Sequence, residues 1–327
     1  MKHVSYFDKF LTNEVDLNKT RIENLNDRVE AVSKFLKKNL DSFKKIERQG
    51  SYALRTVIRP VREGQDYDAD LLLYMEYDES KKPHEYIDEV YECFKGNGTY
   101  RDIVHRHTRC VKLEYKGEIH LDIVPCITKP DGKQYICNNK TQDFEITDGT
   151  GYREWFNGKS RITDGSLKKV TRLLKFLRDH KGNFKAKSIL LTTLIGRTVE
   201  DEDDADDFKN VPDGLKTVSN RINNFLQENP QRPDIFNPAL PEEEFTRDWS
   251  QKNYENFREM FNIYNGRIDE AYTATEQNDS VDKWRKVFGD SFGEKKDDRR
   301  SSNSKKREAS TTVPTTVAVA PWRQYAR

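Results

Sequence analysis

Three aspartates and a Gly-Ser pair form the pattern in this chain most open to chemistry. Asp68 and Asp70 stand two apart and run straight into Leu71-Leu72-Leu73-Tyr74-Met75. An apolar run of that length reads as a buried strand, in which positions i and i+2 share a face. The two carboxylates therefore project side by side and repel unless a cation lies between them. Mg²⁺ is suited to that place, because it takes carboxylate oxygens while keeping coordination sites for phosphate and water. Upstream, Gly50-Ser51 can present a backbone N–H and a hydroxyl to a phosphate. A third carboxylate, Asp122, lies inside a second apolar run, Ile119 to Pro125. Asp-x-Asp alone is common in solvated loops. Preceded by Gly-Ser and followed by a lone aspartate within another strand, it predicts metal-dependent nucleotidyl transfer. Asp66 falls on the same face and is a rival for the first metal position.

Positioning these residues requires a sheet braced by helices. Residues 15–40 carry apolar side chains at Leu17, Ile22, Leu25, Val29, Val32, Phe35, Leu36 and Leu40, the spacing of a long amphipathic helix that would brace two lobes. Pro83 opens a helix through Phe94, closed at Gly96-Asn97-Gly98. Residues 109–115 and 118–124 read as a hairpin around Lys116-Gly117, placing Asp122 near the edge of the first sheet. A second hairpin is expected from 126–128 and 134–137, around Pro130-Asp131-Gly132. Beyond Gly151 the pattern turns helical. A short segment at 151–156 is followed by helices over 163–181, 188–199, 214–228, 253–275 and 281–287. Asn229-Pro230, Arg232-Pro233 and Asn237-Pro238 interrupt that series.

Composition narrows the class. The 327 residues are 35% charged and only 34% hydrophobic, with 57 Lys+Arg against 56 Asp+Glu for a net charge of +1. That balance argues against a surface coated for non-specific nucleic-acid binding. No run is long enough to span a membrane, and the N-terminal residues lack a signal-peptide core. Cys93, Cys110, Cys126 and Cys137 show no CxxC spacing, so free thiols in a reducing cytoplasm are expected. His105 and His107 have no downstream Cys/His partners, and a polar loop leading into a strand fits them better than zinc. The acidic run at 200–207 lacks the spaced ligands and glycine of a calcium loop and reads as solvated. Residues 294–327 begin too polar to bury a core. They regain Val, Ala, Trp322 and Tyr325 near their end, as a tethered partner-binding peptide would.

On Gly50-Ser51, Asp68-Ala69-Asp70-Leu71 and Leu121-Asp122-Ile123, the chain resembles the bacterial cyclic GMP-AMP synthase-like nucleotidyltransferases. These are the cyclic-oligonucleotide synthases of anti-phage signalling, and they share the polymerase-β-like fold with oligoadenylate synthases. The resemblance covers roughly residues 15–290, with later landmarks at Asn237-Pro238 and 283–289. It implies an α+β fold: a mixed-sheet nucleotidyltransferase lobe over 1–160, a C-terminal α-helical lobe over 161–293 with a central cleft between them, and a disordered tail over 294–327. It favours Asp68 and Asp70 over Asp66, since the family's second aspartate leads directly into the strand. Ser166 to Leu177 looks like the helix that sends a lysine to the triphosphate, which makes Lys175 that lysine. Ser188 corresponds to the serine at the following helix start.

The resemblance implies two Mg²⁺ ions, replaceable by Mn²⁺, on Asp68, Asp70 and Asp122. Gly50, Ser51, Lys175 and Ser188 would hold the phosphates of the NTP substrates, ATP and a second NTP. Family members are often paired with ubiquitin-transfer-like or HORMA-type regulators, so a protein regulator acting through the tail is expected. Activation by nucleic acid is not, because no His/Cys cluster matches the zinc-binding insertion of the animal enzyme. Single-nucleotide transfer to RNA, protein or a small molecule is the alternative activity. A non-catalytic nucleotide-binding scaffold is the alternative of another class.

Overall fold

The computed structural model describes residues 1–62, 67–116, 119–202 and 206–293. Asp66, Gly117, the centre of the acidic run and the segment 294–327 lie outside the described residues.

The chain begins with a short helix, α1 (Val4–Phe10), which runs through a π-helical turn at Leu11–Val15. The long helix α2 (Lys19–Asn39) starts where the Asn18 side chain accepts the Arg21 N–H, satisfying one of the free N–H groups of its first turn. It buries Leu25, Val29, Val32 and Leu36, one apolar stripe at three-to-four spacing. Strand β1 (Phe43–Gln49) leads into the five-residue helix α3 (Gly50–Leu54), and β2 (Tyr67–Met75) follows. Pro83 sets the first turn of α4 (Pro83–Lys95). Next come β3 (Val104–Arg106), β4 (Val111–Glu114), β5 (Ile119–Thr128), β6 (Gln134–Asn138) and β7 (Asp143–Ile146).

Among the described residues, these seven strands form one sheet in the order β1-β2-β5-β4-β3, with β6 and then β7 continuing from β5. The pairing is antiparallel except between β2 and β5, which run parallel. Several sequence expectations change here. Residues 119–128 are one ten-residue strand that pairs with β4 at its start and with β6 at its end, so the two expected hairpins share β5. Asp122 consequently sits in the interior of the sheet, beside β2, rather than near its edge. The remaining correction concerns His105, which belongs to strand β3 instead of a loop.

The helical half contains α5 (Gly149–Ile162), α6 (Ser166–Lys181), α7 (Ser188–Arg197), α8 (Val211–Glu228), α9 (Gln251–Thr273) and α10 (Gln277–Phe288). A two-stranded ribbon, β8 (Phe236–Asn237) with β9 (Leu240–Glu244), interrupts them. The segment expected at 151–156 is in fact the fourteen-residue α5, capped by Asp148, whose side chain accepts the Gly151 N–H.

Residues 1–293 form one compact unit with two main hydrophobic cores. One lies between α2, α4 and the sheet. The other gathers α5 to α10 and also takes in Phe7, Phe10, Leu11 and Val15 from the start of the chain. The N-terminal helix, rather than α2, thus joins the helical core: Phe7 packs edge-on against Trp284, and Phe10 against Phe176. Buried aromatics of this size dominate a core's apolar burial. No helix among the described residues is long and apolar enough to cross a membrane.

Candidate active site

Strand register builds the site. Asp70 on β2 lies opposite Asp122 on the parallel strand β5, opposite Gln49 at the end of β1, and Asp122 in turn faces Lys112 on β4. Neighbouring strands are about 4.8 Å apart, so these four polar side chains form a row across the sheet. Asp68, two residues before Asp70, adds a third carboxylate on the same face. One oxygen from each of Asp68, Asp70 and Asp122 falls within 4.8 Å of the others, and this trio is the metal-capable cluster among the described residues.

Electrostatics show what such a trio lacks. Burial pushes the Asp70 carboxyl up to about 7, and the charges of Asp68 and Asp122 add to the effect. Asp122 is raised too, by burial first, although Lys112 draws it the other way. The Lys112 ammonium is 3.6 Å from Asp122 Oδ1, too long for a hydrogen bond. Asp122 Oδ1 is itself buried without a hydrogen-bond donor among the described residues. A buried, orphaned carboxylate oxygen beside two further carboxylates is a place for a cation. The Cys110 thiol nearby is pushed up to about 12 by burial and by Asp122, so at neutral pH no thiolate competes for the metal. An all-oxygen donor set suits a hard divalent cation.

A pH-dependent stability follows for the metal-free protein. Asp70 binds its proton more tightly folded than unfolded, so its own contribution to stability is fully present below about pH 4 and is lost as pH rises through 7. Above pH 7 the carboxylate costs the fold on the order of 2–4 kcal/mol. Asp70→Asn should therefore raise the melting temperature of the metal-free protein at pH 8, with the gain vanishing near pH 4. Equal gains at both pH values would refute this reading of Asp70.

The Gly-Ser pair lies directly against the trio. Gly50 has φ +58°, and a Cβ built on it would stand 2.4 Å from Asp70 Oδ2. Both the backbone conformation and the space therefore demand glycine. Ser51 follows in the first turn of α3, and its carbonyl accepts the Thr56 N–H at 2.9 Å. Lys175 on α6 meets Thr56, the residue whose N–H is bound by Ser51. It is buried, and its Nζ donates to the Thr56 carbonyl at 3.2 Å and to Thr56 Oγ1 at 3.4 Å. Burial, with Arg178 assisting, lowers its ammonium to about 8 against the pull of Asp179, Asp68 and Asp70. Ser188 is exposed at the start of α7, where its Oγ accepts a hydrogen bond from Arg178 at 3.2 Å. It lines a cavity of about 450 Å³ with Arg62, Arg178, Lys185 and Lys187. A separate cavity of about 480 Å³, bordered by Asp16, Tyr52, Arg55 and Arg172, contains none of the expected site side chains.

The geometry thus brings together Asp68, Asp70, Asp122 and Gly50, with Ser51 beside them. It leaves Lys175 engaged with Thr56 and Ser188 engaged with Arg178. Two neighbours escape sequence reading. Lys112 joins the row only through antiparallel register with β5, which requires knowing the strand order. Arg178 has a legible signal, standing three residues after Lys175 on one helix face.

Known proteins point the same way. Residues 1–160 match the model of the Second Messenger Oligonucleotide or Dinucleotide Synthetase domain. A c-di-GMP synthase of Roseivirga ehrenbergii is 26% identical over 272 residues, covering 72% of this chain and 70% of that protein. A cyclic AMP-AMP-AMP synthase of Escherichia coli is 22% identical over 320 residues, covering 87% and 96%. Among solved structures, E. coli CdnC with ATP superposes with a TM-score of 0.72 at 20% identity, covering 89% of this chain and 99% of that one. CdnC has also been solved in a complex with HORMA-deltaN.

Proposed function

We propose that this chain, a bacterial cyclic GMP-AMP synthase-like nucleotidyltransferase, joins nucleoside triphosphates into a cyclic di- or trinucleotide second messenger of anti-phage defence. The observation that carries the proposal is the convergence of three carboxylates, one of them against Gly50, at the mouth of one parallel strand pair.

Asp68, Asp70 and Asp122 are the residues that would hold two Mg²⁺ ions, with Mn²⁺ able to replace them. Ions so held neutralise charge on the transferring phosphate and lower the pKa of the attacking hydroxyl. The Gly50–Ser51 turn offers a hydroxyl and backbone N–H groups to the donor's β- and γ-phosphates, and the absence of a side chain at Gly50 lets them approach Asp70. Lys175, held by Thr56, adds a positive charge near that turn below about pH 8. Ser188 would add a further hydroxyl to the phosphate site, with Arg178 holding it in place. The acceptor's 2′- or 3′-hydroxyl attacks the α-phosphate in line and pyrophosphate leaves. One further transfer on the linear intermediate closes a dinucleotide ring, and two further transfers build and close a trinucleotide ring, each releasing pyrophosphate. We read residues 1–160 as the catalytic lobe and 161–293 as the helical lobe. We assign contact with a protein regulator to residues 294–327, on the return of Val, Ala, Trp322 and Tyr325 near their end; CdnC, which has a similar fold, has been solved with HORMA-deltaN.

A point charge on phosphate acts mainly through binding. Lys175→Met, which keeps the buried stem, should raise KM for NTP roughly tenfold while changing kcat by less than about threefold. An unchanged KM would remove Lys175 from the phosphate site.

The function is tested by omitting one NTP at a time from a reaction with Mg²⁺ and identifying the products by mass. A cyclic product whose bases follow the NTPs supplied supports the proposal. A single nucleotide attached to RNA, protein or a small molecule would replace it with the single-transfer reading.

A further inference from the structure

The β8–β9 ribbon lies far from the aspartates in sequence, yet its polar side chains hold the turn at Thr147–Asp148, next to the residue that packs on Gln49. Asn237, only 2% exposed, donates from Nδ2 to Glu243 Oε2 at 2.7 Å and to the Asp148 carbonyl at 3.3 Å. Its Oδ1 accepts the Ala239 N–H at 2.9 Å. Glu243 also accepts the Thr147 hydroxyl at 3.1 Å and, more weakly, the Asp148 N–H at 3.4 Å. This network holds the turn that starts α5. The next residue, Gly149, is buried against the side chain of Gln49, and a Cβ there would meet Gln49 Oε1 at 2.1 Å. Gln49 is the residue before Gly50 and is paired with Asp70 across β1 and β2. A second link, the Thr150 hydroxyl donating to Glu47 at 3.2 Å, ties the same helix start to β1.

We infer that Asn237 and Glu243 are positioning residues for the triphosphate site, acting through the start of α5 on Gln49 and so on the Gly50–Ser51 turn. The inference rests on the proposed function, since it takes that turn to be where phosphate binds. A hydrogen-bond network that is satisfied throughout, with Asn237 and Thr147 buried and Glu243 half-buried, fixes geometry more tightly than apolar packing does. Displacements of about 1 Å at a site of this kind are costly. The two residues touch no reacting atom. They set where the phosphate-binding groups stand.

The test is the affinity of the purified full-length protein for ATP in Ca²⁺, measured by calorimetry so that no turnover is needed. Asn237→Ala should weaken ATP binding roughly tenfold, and Gln49→Ala by a similar factor. Because the two lie on one path, the double variant should bind no worse than about twofold below either single one. Glu243→Gln should bind like the wild type, since its carboxamide oxygen can still accept from Asn237 while its amide donates to the Thr147 hydroxyl. Glu243→Ala should not. Should Asn237→Ala fail to fold, Gly149→Ala perturbs the other end of the path. It should weaken binding, and adding Gln49→Ala should bring affinity back to that of Gln49→Ala alone. Wild-type affinity in folded Asn237→Ala and Glu243→Ala, or losses that multiply in the Gln49 double variants, would overturn the inference while leaving the proposed function standing. A wild-type protein that binds none of ATP, GTP, CTP and UTP would overturn both.

Discussion

Replacing both Asp68 and Asp70 by asparagine should abolish product formation, by more than about 10³-fold, in a protein that folds normally. Asparagine keeps the size of each side chain and removes the charge a metal requires. Because asparagine matches aspartate in size, neither change opens a cavity, at exposed Asp68 or at Asp70, whose carboxyl lies desolvated against the other two. The fold should in fact gain, because burial and mutual repulsion hold the Asp70 carboxyl up to about 7. Removing that charge relieves a cost the wild type carries whenever the site has no metal. Lost activity together with preserved or increased thermal stability is the signature of a site that trades stability for chemistry. Near-normal product from a well-folded double variant would place the chemistry elsewhere.

Gly50→Ala is the second change with a large expected effect. A left-handed φ of +58° costs a non-glycine residue on the order of 1–2 kcal/mol. The alanine Cβ would also meet Asp70 Oδ2 at 2.4 Å, inside van der Waals contact. Asp70 cannot yield sideways without approaching Asp122, its partner on β5. Either the phosphate turn or the carboxylate must move, and each movement disrupts a group the reaction needs. Activity should fall by about 10²-fold or more, with the melting temperature lower by several degrees. Retained activity would show that the Gly50–Asp70 contact is incidental.

The local signals that predict these residues are strong because each is short-range. Two aspartates entering an apolar run reveal a strand and its face, and Gly-Ser reveals a turn. Pro83 marks the start of α4 through its own chemistry, whereas the caps at Asn18 and Ser250 lie inside or before the ranges the periodicity suggests for α2 and α9. What depends on strand order is not legible in the same way. Nothing near Asp122 says that β5 runs parallel to β2 and occupies the sheet interior, so Lys112 and Gln49 cannot be placed in the carboxylate row from sequence. The length of β5 is hidden because Pro125 interrupts its apolar pattern. Helix α5 starts with Gly149, Thr150 and Gly151, poor helix formers held in place by the Asp148 cap and by Gln49. The N-terminal helix α1 is too short for its periodicity to show, and packing against Trp284 and Phe176 stabilises it. The Asn237–Glu243 network joins two segments more than 80 residues apart, a relation created only by folding.

The most direct test of the central claim is to incubate the purified chain with all four radiolabelled NTPs and Mg²⁺, treat the products with phosphatase, and separate them beside the Asp68→Asn/Asp70→Asn protein. A phosphatase-resistant product formed by the wild type and absent from the double variant is the predicted result. A resistant product of equal yield from both proteins, or only phosphatase-sensitive products from the wild type, would contradict it.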